Sequence, residues 1–343
     1  MNNNALVFHT VCPFYTGSFG SGRPLETEKY ADLLAKHVEI AETNGINGMI
    51  IYNFMTSLDS LVIAQRILDL SDQLTPIVAV SPFHVHPYAL ARTFASVSYL
   101  TGRTMHLNVV KGATRDEQAA VGADGDHYSV HYRQITEFLD IFTSLFRDEK
   151  CDFEGEYYRL RGASLQPYLG SGSAPGVFVP GSSSEVAALM PGRATSSLLM
   201  AKPLVTQADE IQRLRAGQPD LRQTIIVGIV AGEKDENAWA FARKIYGTRR
   251  SDVIDARIFE SRSISYQHQS NAALGRESEV FDDVLWCGAS RAGIDCPKLV
   301  GSYERVAAAL ANYFEIGVTD IVIDLPASTS EYEHIFRATQ LVL

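Results

Sequence analysis

The feature that most constrains this chain is a repeated alternation of short apolar runs with longer segments of helical period. The apolar runs cover residues 6–11, 48–52, 76–80, 105–110, 177–179, 196–200, 225–230 and 320–323. Segments in which apolar residues recur every three to four positions separate the early runs, at 28–43, 60–70, 88–100 and 132–146. This pattern predicts repeated βα units around a parallel sheet, with close to eight strand–helix pairs.

Two α/β architectures have this pattern, a closed barrel and a doubly wound open sheet. The open sheet usually has a GxGxxG phosphate loop after its first strand. Here the loop after the first run contains Phe19-Gly20-Ser21-Gly22 followed by Arg23-Pro24, without the third glycine. With 343 residues, 46% of them hydrophobic, the chain is long enough for a barrel. We therefore predict a (β/α)8 TIM barrel formed by one domain, residues 1–343.

Two segments interrupt the alternation and are predicted to be insertions. Residues 151–175 have the pattern of a small hairpin followed by a Gly/Ser/Pro stretch. Residues from about 250 to 300 are rich in Ser, Arg, Asp and Gln. A loop of that length is uncommon in a compact domain and is often a mobile lid over an active site. An ordered helical insertion without a catalytic role is the alternative.

Composition excludes several classes of function. A net charge of −10 gives no basic field to attract nucleic acid. The four cysteines are scattered without zinc spacing, and His84 and His86 have no carboxylate partner nearby in sequence, so we expect no metal site. The chain shows no signal peptide and no long apolar stretch; we expect a cytoplasmic protein that does not enter a membrane.

Two stretches have the residue types of a cofactor site. Gly181, Ser182, Ser183 and Ser184 join the end of an apolar run to a helix start, where free amides accommodate a phosphate; an ordinary serine cap is the alternative. Asn108 lies near the end of the fourth run and could offer its amide to the edge of a heterocycle, or could satisfy nearby backbone.

Several further side chains are candidates for the same end of the barrel. His9 and Cys12 lie at the end of the first run and Ser57 follows the second, so they are candidate substrate contacts. Tyr128 and Tyr132 open the helix that follows the loop after the fourth run and could face a flavin or its phosphate. Core packing is the alternative for each of them.

Taken together, these residues resemble the bacterial-luciferase-like flavin monooxygenases over nearly the whole chain, and most closely the alkanesulfonate monooxygenase branch. The segments that carry the resemblance are 21–24 (Ser-Gly-Arg-Pro), 45–48 (Gly-Ile-Asn-Gly), 88–92 (Tyr-Ala-Leu-Ala-Arg), 100–103 (Leu-Thr-Gly-Arg), 107–112 (Leu-Asn-Val-Val-Lys-Gly), 152–155 (Asp-Phe-Glu-Gly), 160–163 (Leu-Arg-Gly-Ala), 181–184 (Gly-Ser-Ser-Ser), 235–239 (Asp-Glu-Asn-Ala-Trp) and 299–301 (Leu-Val-Gly).

The resemblance implies a (β/α)8 barrel that binds FMN non-covalently, receives it as FMNH2 from a separate NAD(P)H:flavin reductase, and uses O2 through a C4a-(hydro)peroxyflavin. It also suggests a homodimer or homotetramer. By position, Asn108 and Tyr132 match flavin contacts and 181–184 match the phosphate cradle. Arg291 matches an arginine of the mobile lid near the reaction centre.

The chain departs from that branch at substrate-side positions. Ser57 stands where a cysteine is expected, Ile226 and Gly228 where the seventh strand carries arginine and histidine, and Leu325 where a tyrosine is expected near the eighth strand. These changes remove the cationic and acid/base groups that suit a sulfonate. We therefore predict that simple alkanesulfonates are not the substrate. A thioester or carrier-bound acyl or aminoacyl group suits a more apolar site, as does a free acid.

Other functions are compatible with the sequence. A reductase or dehydrogenase of the same superfamily would use the deazaflavin F420 and consume no oxygen. A non-catalytic flavin-binding partner subunit would explain why positions 226, 228 and 325 lack the expected arginine, histidine and tyrosine. A barrel lyase or aldolase would need a strand-end lysine or metal-binding carboxylates, and Lys111 is the strand-end lysine that the pattern shows.

Overall fold

A computed structural model of the chain describes residues 5–16, 24–54, 57–112, 115–123, 128–168, 170, 172, 174–247, 278–288 and 296–342. Contacts divide the chain into two compact units. The terminal unit consists of Met1–Val11, Glu39–Asn47 and Leu198–Leu343, and the central unit of Cys12–Val38 and Gly48–Ser197. Each unit is described by itself.

The described residues form strands that alternate with helices along the chain. The strands are β1 (Val7–Val11), β2 (Gly48–Ile51), β3 (Thr75–Val80), β4 (His106–Val109), β5 (Cys151–Glu154), β6 (Arg159–Ala163), β7 (Val177–Pro180), β8 (Ser196–Met200), β9 (Arg222–Gly232), β10 (Val280–Phe281), β11 (Leu285–Trp286), β12 (Lys298–Ser302) and β13 (Asp320–Ile323). The helices are α1 (Thr27–Thr43), α2 (Ser60–Leu70), α3 (Pro87–Thr101), α4 (Arg115–Ala120), α5 (Tyr128–Arg147), α6 (Ser184–Leu189), α7 (Leu204–Gly217), α8 (Asp235–Tyr246), α9 (Tyr303–Glu315) and α10 (Glu331–Thr339).

The fold is a (β/α)8 TIM barrel, as the alternation predicted. Eight parallel strands, β1, β2, β3, β4, β7, β8, β9 and β13, form its closed sheet. The residues of β2, β3, β7 and β13 are mostly buried and apolar, as expected for strands covered on both faces. In such barrels the active site lies at the carboxyl ends of the strands, so the residues that follow each strand decide the chemistry.

In the central unit, β2, β3, β4 and β7 form a parallel ladder in which Asn108 of β4 lies opposite Ala79 of β3 and Phe178 of β7. Helices α3 and α5 bury aromatic residues against each other, with the rings of Phe94 and Phe142 edge to face at 5.4 Å. The antiparallel strands β5 and β6 form a hairpin within the predicted insertion at 151–175. Its turn is held by Glu137 of α5, whose carboxylate accepts the backbone N–H groups of residues 156, 157 and 158.

In the terminal unit, β9 is an eleven-residue strand that pairs with β13 along one part of its length and with β12 along another. Residues 224–227 pair in parallel with residues 320–323 of β13. Residues 228–232 pair in parallel with residues 298–302 of β12. The antiparallel strands β11 and β10 extend the sheet beyond β12. Gly228 is therefore the residue of β9 at which pairing with β12 begins.

The structure differs from the prediction of a loop or lid over residues 250 to 300. Residues 280–281, 285–286 and 298–302 are strands, and Trp286 packs in an apolar cluster with Val230, Ala238 and Val300. The prediction missed them because β10 and β11 have only two residues each, too few to show a period. Residues 248–277 and 289–295, including Arg291, lie outside the described residues.

Within the described ranges, we find no helix with the length and apolarity that crossing a bilayer requires.

We expect Trp286→Ala to lower the free energy of unfolding by about 3–5 kcal/mol, since it empties a buried site. Trp286 is 2% exposed and its Nε1–H donates to Glu279 Oε1 at 2.9 Å. Chemical denaturation measures the change. Phe241→Ala is the control, because Phe241 is 36% exposed and its loss should cost less than about 1 kcal/mol. Equal effects of the two substitutions would contradict a structural role for this hairpin.

Candidate active site

Asn108 is the most informative polar residue of the central unit. It lies in β4, one residue before the strand ends, and is 2% exposed. Its Oδ1 is buried and has no hydrogen-bond partner. A buried acceptor without a partner costs roughly 1–3 kcal/mol of stability. Such a residue is therefore expected at a position where a ligand supplies the donor, rather than at a position that only fills the core. The structure thus places an available amide oxygen at the carboxyl end of a barrel strand.

Lys111 and Tyr132 meet just beyond this strand. The Lys111 ammonium lies 5.4 Å from the centroid of the Tyr132 ring in α5, a distance that suits a cation–π contact. His131, the neighbour of Tyr132, is 2% exposed and has both ring nitrogens engaged, with Gln118 at 3.2 Å and the Ala123 carbonyl at 2.9 Å. His131 is therefore a structural residue, whereas Lys111 adds positive charge to the end of β4.

The segment that follows β7 has features of a phosphate site and of an ordinary serine cap, the two interpretations of its sequence. Gly181 has a φ of 105°, which favours glycine, and Ser182 is buried. Ser183 is the N-cap of α6, since its Oγ accepts the Val186 N–H at 3.4 Å. Ser184 Oγ donates to Glu185 at 3.2 Å. The ordinary serine cap is thus present, and a phosphate would take the place of the Glu185 carboxylate.

Charge around Glu185 links this segment to Lys111. The pKa of the Glu185 carboxyl lies below its usual value, mainly because its own backbone N–H and the hydroxyls of Ser183 and Ser184 donate to it, with a smaller contribution from Lys111. A negative charge is therefore favoured beside the Glu185 backbone N–H and the hydroxyls of Ser183 and Ser184, with a small contribution from Lys111.

Cys12 and Ser57 follow β1 and β2. Burial raises the pKa of the Cys12 thiol to about 12, with a smaller opposing contribution from Tyr30, so the thiol is neutral near pH 7 and is not a nucleophile. Ser57 closes a turn: its Oγ donates to the Phe54 carbonyl and accepts the Phe54 N–H, both at 2.9 Å. Their roles as substrate contacts stay predictions.

His9 belongs to a buried ion-pair group in the terminal unit. Its Nε2 lies 3.2 Å from Asp320 Oδ1, and the same carboxylate accepts two hydrogen bonds from Arg222 at 2.7 and 3.0 Å. Asp320 and Arg222 open their strands, so this group occupies the amino ends of β9 and β13, the end of a barrel that contributes to stability. The geometry favours a structural role for His9.

The sequence interpretation missed a polar cluster at the carboxyl ends of β9 and β13. Asp324 follows β13, and its N–H donates to the Val227 carbonyl at 3.0 Å. Its Oδ2 accepts from the Cys296 thiol at 3.1 Å and lies 3.6 Å from Lys298 Nζ. The only sequence signal was a charged residue directly after the apolar run 320–323, because Cys296 and Lys298 fell in the predicted lid.

Arg291 and Tyr128 are two predicted site residues whose side chains the structure does not describe. Arg291 lies outside the described residues, and Tyr128 is described only as the first residue of α5. Of the two histidines considered for a metal, His86 caps α3, with its Nδ1 accepting the Tyr88 N–H at 3.2 Å. Among the residues that the structure describes, no three or more His, Cys, Asp or Glu side chains are grouped to hold a metal ion.

A model of the family of luciferase-like monooxygenases matches residues 8–320. The chain belongs to the luciferase-like monooxygenase family. It is therefore an enzyme of the luciferase-like, flavin-dependent monooxygenase class, and the resemblance to this family seen in the sequence is confirmed.

Relatives of this family member span several activities. It is 28% identical over 317 residues to the 4-(γ-L-glutamylamino)butanoyl-[BtrI acyl-carrier protein] monooxygenase BtrO of Niallia circulans, covering 91% of this chain and 92% of that protein. The crystal structure of a riboflavin lyase with modified FMN and riboflavin has a TM-score of 0.78 at 17% identity, covering 98% and 92% of the two chains. An F420-dependent secondary alcohol dehydrogenase has a TM-score of 0.70 at 12% identity, covering 99% of each chain. These structural likenesses support the fold.

We expect Asp320→Asn to lower the free energy of unfolding by about 3 kcal/mol at pH 7, because Arg222 and His9 lose a buried partner. Burial alone would raise the pKa of Asp320, but His9 and Arg222 lower it below its usual value. A lowered pKa stabilises the fold above the unfolded-state pKa of about 3.9, and this contribution is lost as the pH falls through the folded-state pKa.

The difference between Asp320→Asn and the wild type should therefore shrink in denaturation curves as the pH falls from 7 towards 3. Glu333→Gln is the control, since Glu333 pairs with Arg337 at the surface at 2.5 Å and such pairs contribute less than about 1 kcal/mol. A difference that stays constant with pH would contradict the assignment.

Proposed function

We propose that this chain is the oxygenating component of a two-component monooxygenase, which uses FMNH2 from a separate NAD(P)H:flavin reductase and O2 to oxidise a thioester-linked acyl or aminoacyl group. The observation that carries the proposal is the buried, unpartnered Asn108 Oδ1 at the carboxyl end of β4. In a family of flavin-dependent enzymes, such an acceptor suits the ring N–H of a flavin.

The residues around Asn108 fit the rest of the cofactor. Lys111 offers the positive charge that a phosphate needs, and segment 181–184 offers loop amides and hydroxyls. Glu185 occupies these donors in the structure, and because its side chain is exposed, it can turn into solvent when a phosphate binds. The support comes from the loop and Lys111, since α6 has only six residues and a small dipole.

The protein's own part in the reaction is to bind, orient and shield. When bound, the reduced flavin supplies the two electrons with which O2 is activated. Asn108 orients the ring from a rigid strand, and the buried neighbours Val109 and Phe178 exclude water from the same strand ends. Exclusion of water protects reactive oxygen species bound to the enzyme from wasteful breakdown.

Two observations support a thioester-linked substrate. The relative from Niallia circulans acts on an acyl group carried by a carrier protein and matches this chain over 91% of its length. The positions at which the sulfonate branch carries arginine and histidine are here Ile226, which is 7% exposed, and Gly228. An apolar strand end suits an acyl chain better than a small, strongly hydrated anion.

The purified chain, FMN, a flavin reductase and NADH form the test system. 4-(γ-L-Glutamylamino)butanoyl carrier protein, butanoyl-pantetheine, the corresponding free acids and an alkanesulfonate are the probes. We expect mass spectrometry to show a gain of one oxygen atom on the thioesters, with at least tenfold slower reaction of the free acids and no sulfite from the sulfonate.

Each alternative function has its own outcome in this experiment. Binding of F420 without oxygen consumption would identify an F420-dependent reductase or dehydrogenase. Binding of FMN without product from any probe would favour a non-catalytic flavin-binding subunit. Failure to bind FMN in either redox state would contradict the proposed function.

We expect Asn108→Ala to weaken FMN binding about tenfold, because one buried hydrogen bond worth about 1.4 kcal/mol is lost. Titration of FMN fluorescence measures the dissociation constant. Asn44→Ala is the matched control, since the Asn44 carboxamide donates to the Ile40 carbonyl at the end of α1 at 2.8 Å. An Asn108→Ala protein that binds FMN as tightly as the Asn44→Ala protein would remove Asn108 from the site.

A further inference from the structure

The cluster at the carboxyl ends of β9 and β13 has the features of a built proton-handling site. Asp324 is the partly exposed member, with a side chain 20% exposed. Two groups that contact its Oδ2 are buried: Cys296 is 4% exposed and Lys298 is 2% exposed. A carboxylate that is held by buried groups and partly exposed at the carboxyl end of a barrel strand lies where a ligand can reach it.

Gly228 makes this arrangement possible. A Cβ at position 228 would lie 2.8 Å from Lys298 Cγ and 2.9 Å from Lys298 Nζ, closer than van der Waals contact allows. The backbone there is fixed, since the Gly228 N–H donates to the Pro297 carbonyl at 2.9 Å and Gly228 lies opposite Lys298 in the β9–β12 ladder. The lysine side chain therefore occupies the space of an absent side chain at 228.

The other side of Lys298 is closed by a tyrosine. Its Nζ lies 4.3 Å from the centroid of the Tyr246 ring, at the end of α8. The Tyr246 hydroxyl donates to Glu331 of α10 at 3.0 Å and accepts the Ala327 N–H at 2.8 Å, which fixes the ring. Lysine burial is costly without a partner charge, and here Asp324 supplies that charge.

We propose that Asp324 is the catalytic acid–base residue of this monooxygenase, and that Lys298, Cys296 and Gly228 are the residues that position it. This inference rests on the proposed function. The apolar residues at 226, 228 and 325 cannot perform the proton transfer. The inference assigns it to Asp324, which follows β13 and is contacted by Lys298 of β12.

The reaction requires such a group. In RH + O2 + FMNH2 → ROH + H2O + FMN, the substrate and the reduced flavin each lose two electrons, and O2 gains four. The substrate atom that forms the new bond to oxygen loses its hydrogen as a proton. Asp324 accepts that proton at a carboxylate oxygen and passes it to the second oxygen atom, which leaves as water, so that the protons of the equation balance. The Lys298 ammonium, 3.6 Å from Asp324 Oδ2, suits a carboxylate in this basic role.

The first test compares Asp324→Asn with Asp209→Asn, a control on the exposed face of α7, using the thioester probes above. We expect Asp324→Asn to lower kcat for oxygenation about 100-fold and to bind FMN with unchanged affinity. Oxygen consumption should continue but end in H2O2 instead of product. Oxygenation by Asp324→Asn within about twofold of the wild-type rate would overturn the inference.

The positioning residues are tested by a pH profile. Lys298→Met should move the acidic limb of the kcat profile to higher pH, because removing the ammonium 3.6 Å from Oδ2 makes the carboxylate take up a proton more readily. Gly228→Ala should have the same effect by displacing the lysine, and the double variant should be no worse than either single one. Cys296→Ala, a smaller change, should move the limb in the same direction if the other variants fail to fold. An unmoved limb in every folded variant would overturn the positioning roles.

Failure of the inference and failure of the proposed function give different results. If the wild-type chain forms no oxygenated product from any thioester probe, both are overturned. If the wild-type chain forms product and Asp324→Asn forms it equally well, only the assignment of Asp324 is overturned.

Discussion

The change of partners along β9 is the constraint on which the terminal unit depends. Every backbone N–H and C=O of a buried strand needs a partner, and β9 finds its partners in β8, in β13 over residues 224–227 and in β12 over residues 228–232. The change places Gly228 at the carboxyl end of the barrel segment and brings Lys298 alongside it. It also brings Trp286 and Val300 into one apolar cluster, so that the core and the polar cluster at Asp324 follow from the same register.

The polar groups that we associate with function share a physical signature. Asn108 is a buried acceptor without a donor, and Asp324 is a carboxylate fixed by buried donors at the end of a strand. Both lie on the rigid part of the barrel, where rotation of the side chain is restricted and little entropy is lost when a ligand binds. His9 has the opposite signature: its ring is engaged by a carboxylate at the amino ends of the strands. Sequence position alone does not separate these cases, whereas hydrogen-bond partners do.

Much of the fold could be predicted because it depends on local patterns. The strands at 48–51, 196–200 and 320–323 and the helix at 60–70 lie within one residue of their predicted ends, since uniform apolar runs and helical period are properties of contiguous residues. The strands β10 and β11 were missed because two-residue strands have no period. β12 was missed because it lies at the end of a polar segment, although its own residues are buried.

The amino-acid sequence by itself determined the barrel, the luciferase-like family and the position of Asn108 near a strand end, because each of these is written in contiguous residues or in their order. Only the tertiary structure decided that Asn108 Oδ1 has no partner, that the Cys12 thiol is neutral, and that Lys298 fills the space left by Gly228. These are consequences of burial and of contacts between residues far apart in the chain. The strand register sets this burial and these contacts, and no local sequence pattern encodes the register.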